Sequence, residues 1–255
     1  FQVVSDDHNA DATQSASPPS DAPPITAGSM PPLEADGTLR FFWLDAHEDE
    51  LNAPGTVFLF GKVALSPTAY ASACVTLKGV ERNVYVLPRA RRVVGGRETV
   101  DEVSFVDVYQ EVQALCRRHK VGRFGCKRVE RSYAFEDAGV AHGPHSVLKL
   151  VYSGEFPALP TDTSGETFSH VFGARTSCLE HLLLKRRVQG PCWLELTNAT
   201  PASSSTSWAK FDLFLGGGKK ALRVLGAADN PPPAPPLVVA SLQIQTVLNA
   251  KHQPE

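Results

Sequence analysis

Strand-like runs and two amphipathic helices alternate along the central part of this chain, and their order constrains the fold most strongly. After an abrupt start at 39–46, the predicted strands lie at 56–64, 69–77, 83–87, 121–135 (broken), 146–152, 192–196 and 208–215. The helices are predicted at 104–120 and 177–188. This order predicts an α+β fold with mixed or antiparallel sheets and two main helices. A split βαβ sheet of the ferredoxin or RNA-recognition type fits within it.

Both helices carry sequence signals at their ends. The first has its apolar residues on one face, and these are Phe105, Val108, Val112, Leu115 and Cys116. In the second, Ser177 and Glu180 have capping-box spacing, and Gly190 and Pro191 are expected to end the helix. Three tryptophans, Trp43, Trp193 and Trp208, are predicted to anchor the core.

Composition divides the chain into four parts. Residues 1–38 are rich in Pro, Ser, Ala and Asp, so we expect a disordered acidic tail before the folded domain. The domain is predicted to span 39–228, and a proline-rich linker follows at 229–236. Residues 237–255 are expected to begin a further, truncated domain.

The bulk composition excludes several classes of protein. No apolar run reaches the roughly 20 residues of a membrane span. The five cysteines are odd in number and contain no C-x-x-C pair, which argues against a zinc or disulfide framework. Six of the 27 acids lie in residues 1–39, which hold no Lys or Arg. The rest of the chain therefore has 21 acids and 25 bases. This mildly positive body is compatible with a polyanionic partner.

The last residues predict a single strand without a partner. Prolines lead into apolar residues that alternate over 237–246, and an isolated strand at a terminus is unstable. We therefore expect the chain to be part of a longer protein, interrupted as a new domain begins.

That strand resembles the first exonuclease strand of B-family DNA polymerases, F-D-I-E-T, which here is L-Q-I-Q-T at 242–246. Five further segments, in order, are similar to the N-terminal domain of DNA polymerase alpha catalytic subunits. They are F-W-L-D-A-H-E-D (42–49), P-G-T-V-F-L-F-G-K-V (54–63), V-E-R-S-Y-A-F-E (129–136), G-E-T-F-S-H-V-F-G (165–173) and G-P-C-W-L-E (190–195).

The resemblance implies a nuclear replicative polymerase that extends primase-made RNA primers on template DNA. It implies primase and a B subunit as partners, docked through parts outside this segment, and packing of this domain on exonuclease-like and palm domains. Mg²⁺ would serve the parent polymerase, and zinc would belong to a C-terminal module. The segment itself is expected to carry no catalytic residue, metal or other cofactor. Gln243 and Gln245 would occupy lost metal-ligand positions, since amides replace poorly the carboxylates that hard cations prefer.

One run of bases and an aromatic is a candidate nucleic-acid contact. Its residues are Lys127, Arg128, Arg131 and Tyr133, which suit phosphate contact and base stacking. The same run is also typical of a solvated sheet edge with a packed tyrosine.

Two other functions fit the sequence. A stand-alone nucleic-acid-binding module would use an RNA-recognition-like sheet, although residues 123–126 match its aromatic motif poorly. A protein-interaction scaffold would use the acidic tail and the proline-rich run at 231–236 as docking peptides.

Overall fold

The computed structural model describes residues 29–135, 137, 139–239 and 241–243. Helices α1 (Phe105–Arg118) and α2 (Cys178–Arg186) lie within this part of the chain. The strands are β1 (Leu39–Glu48), β2 (Val57–Ala64), β3 (Tyr70–Leu77), β4 (Glu81–Pro88), β5 (Arg91–Val94), β6 (Arg97–Glu102), β7 (Phe124–Tyr133), β8 (Gly143–Ser153), β9 (Phe168–Phe172), β10 (Cys192–Leu196), β11 (Ala199–Pro201), β12 (Phe211–Leu215) and β13 (Leu222–Val224). The predicted α+β class is confirmed.

The larger sheet has seven strands in the order β11-β12-β3-β2-β1-β10-β13. Its pairs are antiparallel except for β12 and β3. One face is apolar because alternate residues along β1 and β2, such as Phe41 and Leu59, point into the core. Leu182 of α2 packs in this core, so the helix covers one face of the sheet.

The smaller sheet is antiparallel and has the order β7-β8-β4-β9. Because β8 lies between β4 and β7, the β4–α1–β7 unit is split, which confirms the predicted split βαβ arrangement. Helix α1 packs Val108 and Val112 against Val84 and Leu150 on one face. The second helix of the full ferredoxin-like pattern is missing between β8 and β9, where residues 154–167 form a helix-free connection.

Capping explains where the helices begin. The Ser177 hydroxyl accepts a hydrogen bond from the Glu180 amide, and the Glu180 carboxylate accepts one from the Ser177 amide, so the predicted capping box is confirmed. Ser104 and Asp107 make the same pair at α1. Helix α2 ends before the predicted Gly190, because Arg187 adopts a left-handed conformation with φ 56°.

Several elements differ from the prediction. The strand expected to be broken within 121–135 is continuous as β7. The β5–β6 hairpin and β9 were not predicted, since the hairpin is mostly polar and the five residues of β9 show no apolar alternation. Trp43 and Trp193 are buried, but the prediction that Trp208 anchors the core is wrong, since this side chain is fully exposed at 101%.

The terminal predictions fall partly outside the described residues. The described residues from 29 to 234 belong to one compact unit. Within it, Met30 packs against the core, so ordered contacts begin before the predicted boundary at residue 39. Residues 237–239 and 241–243 belong to a separate unit and form no strand, and Leu237 and Leu242 are exposed. The rest of the predicted terminal strand, including Gln245, and residues 1–28 lie outside the described part.

Polar contacts hold α2 between the two sheets. The Glu48 carboxylate at the end of β1 accepts hydrogen bonds from the Cys178 and Leu179 amides, at 3.0 and 2.8 Å. A carboxylate at this position complements the positive end of the helix. The Asn83 amide of β4 donates to Nε2 of His181 at 3.2 Å, which fixes the imidazole as an acceptor at that nitrogen.

We expect His181 to make the fold less stable in mild acid. Burial, and secondarily the Arg82 guanidinium, lowers the His181 pKa below its ordinary value of 6.5. The unfolded chain therefore binds a proton before the folded one does. The stabilisation is complete above the unfolded pKa and is lost as the pH falls through 6.5 toward the folded pKa.

The measurement is urea unfolding of the wild type and His181→Gln at about pH 7.5 and about pH 5, on either side of the unfolded pKa. The wild type should lose more free energy of unfolding than the variant, because glutamine accepts a hydrogen bond without titrating. Equal losses in both proteins would contradict the prediction.

Candidate nucleic-acid interface

The four-stranded sheet leaves one face free of α1, and we call it the open face. Strand alternation turns Val84, Leu148 and Leu150 toward the helix and their neighbours to the other side. The open face includes Tyr85, Leu87, Lys127, Val129, Arg131, Tyr133, His145, Val147, Lys149, His170 and Phe172. Central strands β4 and β8 and edge strands β7 and β9 all contribute to it.

The structure separates the four residues predicted from sequence. Lys127, Arg131 and Tyr133 lie at alternate positions of β7 on the open face. Arg128 lies on the opposite face, where its guanidinium is 4.6 Å from the Phe105 ring centre and its Nε donates to Ser146 Oγ at 3.0 Å. Arg128 is therefore removed from the candidate site.

Two cations of the open face converge on one aromatic ring. The Arg131 guanidinium carbon lies 5.5 Å from the ring centre of Tyr85, and Lys149 Nζ lies 5.7 Å from the same point. Both distances are within the range of cation–π attraction. Tyr85 and Lys149 were missed from the sequence, because only the β4–β8 register, which pairs them, reveals that they share a face.

Beside these cations lies an apolar pocket of about 240 Å³. Its walls include Tyr85, Tyr133, Phe135 and Phe172, and Arg131 lies at its edge. The ring centres of Tyr133 and Phe172 are 5.3 Å apart. Desolvation raises the Tyr133 pKa above its ordinary value of 10.0. Aromatic walls of this kind suit stacking with a nucleobase.

The position of β9, which contributes Phe172 and His170, depends on Glu111 of α1. The Glu111 carboxylate accepts hydrogen bonds from the Glu166 and Thr167 amides, both at 2.8 Å. These bonds fix the connection immediately before β9. The rings of His170 and Phe172 then stack with an interplanar angle of 1°.

The open face carries a positive charge. Lys127, Arg131 and Lys149 are its cations, and alternation along β4 places Glu81 on the same side only at the far end of the strand. The described residues contain no group of three or more His, Cys, Asp or Glu side chains able to hold a metal ion. Gln243 is exposed and lies in the separate unit. The helices in the described ranges are too short or too polar to cross a membrane.

Comparison with known proteins gives close relatives of one kind. The chain is 45% identical over 228 residues (87% of its length) to the DNA polymerase alpha catalytic subunit of Xenopus laevis. It is 39% identical over 221 residues to that of Mus musculus and 35% identical over 240 residues to that of Arabidopsis thaliana. These alignments cover 85% and 86% of the chain. The chain spans only 15–16% of the length of these relatives.

No protein-family model matches the chain. Among solved structures, a family B DNA polymerase from Pyrobaculum calidifontis is similar over 71% of this chain and 21% of its own, with 13% identity. The TM-score of 0.41 is too low to support an argument.

Proposed function

Because this chain belongs to the family of DNA polymerase alpha catalytic subunits, we propose that it is the non-catalytic N-terminal part of a replicative DNA-directed DNA polymerase. The identity of 45% with one such subunit over 228 residues is the observation that carries this proposal. The described residues offer no cluster of metal ligands for nucleotidyl transfer. The chain spans only 15% of the length of the relative with 45% identity, and we assign the catalytic centre to other parts of the parent protein.

The parent would transfer deoxynucleotides to the 3′-hydroxyl of RNA primers supplied by primase, at the start of replication and on the lagging strand, in the nucleus. Two Mg²⁺ ions would stabilise the attacking and leaving oxygens in that reaction. Primase and a B subunit would bind through other parts, including a zinc-containing C-terminal module.

The parent is also proposed to lack proofreading through its exonuclease-like domain. This rests on Gln243 and Gln245, which replace the two acids of the F-D-I-E-T strand. A neutral amide is a poor ligand for a hard divalent cation.

The segment's own role is proposed to be guidance of the template strand on the open face. Lys127, Arg131 and Lys149 suit the phosphates, and the apolar pocket whose walls include Tyr133 and Phe172 suits an unpaired base. The domain would pack on the exonuclease-like and palm domains and hold this face along the path of the template.

Charge reversal in the full polymerase tests this role. Lys127→Glu with Arg131→Glu should weaken primer-template binding. The slope of log affinity against log salt should shrink by about 1.4, because two contacts to a single strand are lost. The turnover number at saturating primer-template should stay unchanged, since neither side chain takes part in the chemistry.

Arg128→Glu is the matched control for Arg131→Glu alone, because both make the same charge change on the same strand but Arg128 lies on the opposite face. An unchanged affinity and salt slope in the double variant, or equal losses in Arg131→Glu and Arg128→Glu, would overturn the template-guiding role. Strong binding of single strands by this chain alone would favour the stand-alone nucleic-acid module instead.

A further inference from the structure

Strand β7 presents a long edge that pairs on one side only. Its ten residues match β8 without a register shift, from Phe124 opposite Tyr152 to Tyr133 opposite Gly143. Within the described residues, no strand lies on its other side. The strand contains no proline and no bulge, two of the devices that protect a sheet edge, and its protection against unspecific pairing comes from its charged side chains. The Glu130 carbonyl accepts a hydrogen bond from Arg131 Nη1 at 2.7 Å, and the remaining N–H and C=O groups on the outer edge are available to a further strand.

The side chains along this edge carry an ordered pattern of charge. Lys127 and Arg131 flank the half-buried Val129 on the open face, and both cations are exposed. On the opposite face Arg128 is held over Phe105 and lies two residues from the exposed Glu130. The edge thus has three cations and one anion at fixed positions.

This pattern disfavours a second copy of the chain as the occupant. Antiparallel pairing of two β7 strands about Val129 would place Lys127 opposite Arg131 and Arg128 opposite Glu130 of the second copy. The attractive pairs offset the repulsive ones, but three cations and one anion give each edge a net charge of +2, so the two edges repel overall. Like charges that face each other across two strands are destabilising. The same two cations attract carboxylates. Charge therefore favours an acidic strand over a second copy of β7 at this edge.

We propose that the outer edge of β7 binds an extended acidic segment of a partner protein, which adds to the sheet as a fifth strand. Carboxylates would lie opposite Lys127 and Arg131, with an apolar residue between them opposite Val129. A further carboxylate would face Arg128, and a base would face Glu130. An antiparallel partner then has the sequence pattern Glu-Lys-Val-Glu-Glu, with backbone hydrogen bonds supplying affinity and charge supplying register.

A synthetic probe peptide, acetyl-Thr-Glu-Lys-Val-Glu-Glu-Thr-amide, tests the proposal against this chain. The control is acetyl-Thr-Lys-Glu-Glu-Val-Glu-Thr-amide, which has the same composition with its charges in the wrong register. Fluorescence anisotropy of labelled peptides should show tighter binding of the first. Equal binding of both peptides would overturn the proposal.

Charge reversal should affect this binding selectively. Lys127→Glu with Arg131→Glu turns two attractive cross-strand pairs into repulsive ones, so affinity should fall about tenfold, which is about 1.4 kcal/mol. Arg117→Glu with Arg118→Glu at the exposed end of α1 is the matched control and should leave affinity unchanged. An equal loss in both double variants would mean non-specific attraction only and would contradict the proposal.

Hydrogen exchange separates strand addition from simple charge attraction. On saturation with the first peptide, alternate amides of β7 should exchange more slowly, because only every second residue turns its N–H to the outer edge. Methylating the peptide nitrogens at one alternate set of residues should abolish binding, and methylating the other set should preserve it. Unprotected β7 amides at saturation, or equal effects of the two methylation patterns, would overturn the proposal.

Discussion

Phe41→Ala is expected to lower the free energy of unfolding by about 3–5 kcal/mol. The Phe41 side chain is fully buried at the centre of the larger core, so its removal loses apolar burial and leaves a cavity. Chemical unfolding monitored by circular dichroism measures the loss. Phe41→Leu, which keeps part of the volume, should give an intermediate value if the alanine variant proves too unstable to measure.

Trp208→Ala is the control for the same measurement. Because Trp208 is fully exposed, its loss should change the free energy of unfolding by no more than about 0.5 kcal/mol. A large loss in this variant would show that Trp208 packs in the core, as its residue type alone had suggested.

Gly61→Ala is expected to destabilise the fold by about 1–3 kcal/mol, although it adds only one methyl group. Gly61 of β2 lies beneath Phe41, and a Cβ there would be 2.1 Å from the Phe42 carbonyl oxygen and 2.7 Å from the Phe41 ring. The backbone or the ring must move to relieve this contact. Thermal unfolding of the variant should show a clearly lower midpoint.

Gly125→Ala provides the matched comparison, since it also changes a strand glycine to alanine. No atom lies within 4 Å of the Cβ position at Gly125. Alanine should therefore be neutral or stabilise by about 0.4–1 kcal/mol, through a less flexible unfolded chain. Similar losses in both variants would indicate that strand propensity, and not the close approach of the Phe42 carbonyl and the Phe41 ring, decides the effect.

Local signals in the sequence predicted the local structure well. The helices and the Ser177–Glu180 capping box are specified by residues within four positions of one another. Apolar alternation likewise located most strands. The split sheet could be predicted because its element order leaves few arrangements of connected strands.

What depends on pairing between distant segments could not be predicted. Tyr85 and Lys149 share a face only through the β4–β8 register, and the polar β5–β6 hairpin gives no apolar period. The placement of Arg128 is different, since alternation along a strand already separates it from Lys127 and Arg131. Grouping these residues by charge alone ignored the two-residue alternation of side chains along a strand. Trp208 was misplaced because residue type was used without its polar, serine-rich surroundings.

The order of strands in the larger sheet bears on how the protein folds during synthesis. Strand β1 pairs with β10, Leu39 opposite Leu196, yet all of the smaller sheet lies between them in sequence. At roughly 5–20 residues per second, a ribosome needs about 8–30 s to make that interval. The smaller sheet can therefore form first. During that time, the edge of β1 that will pair with β10 has no partner strand. Nascent chains stalled before Cys192 should be the species that most needs chaperone protection.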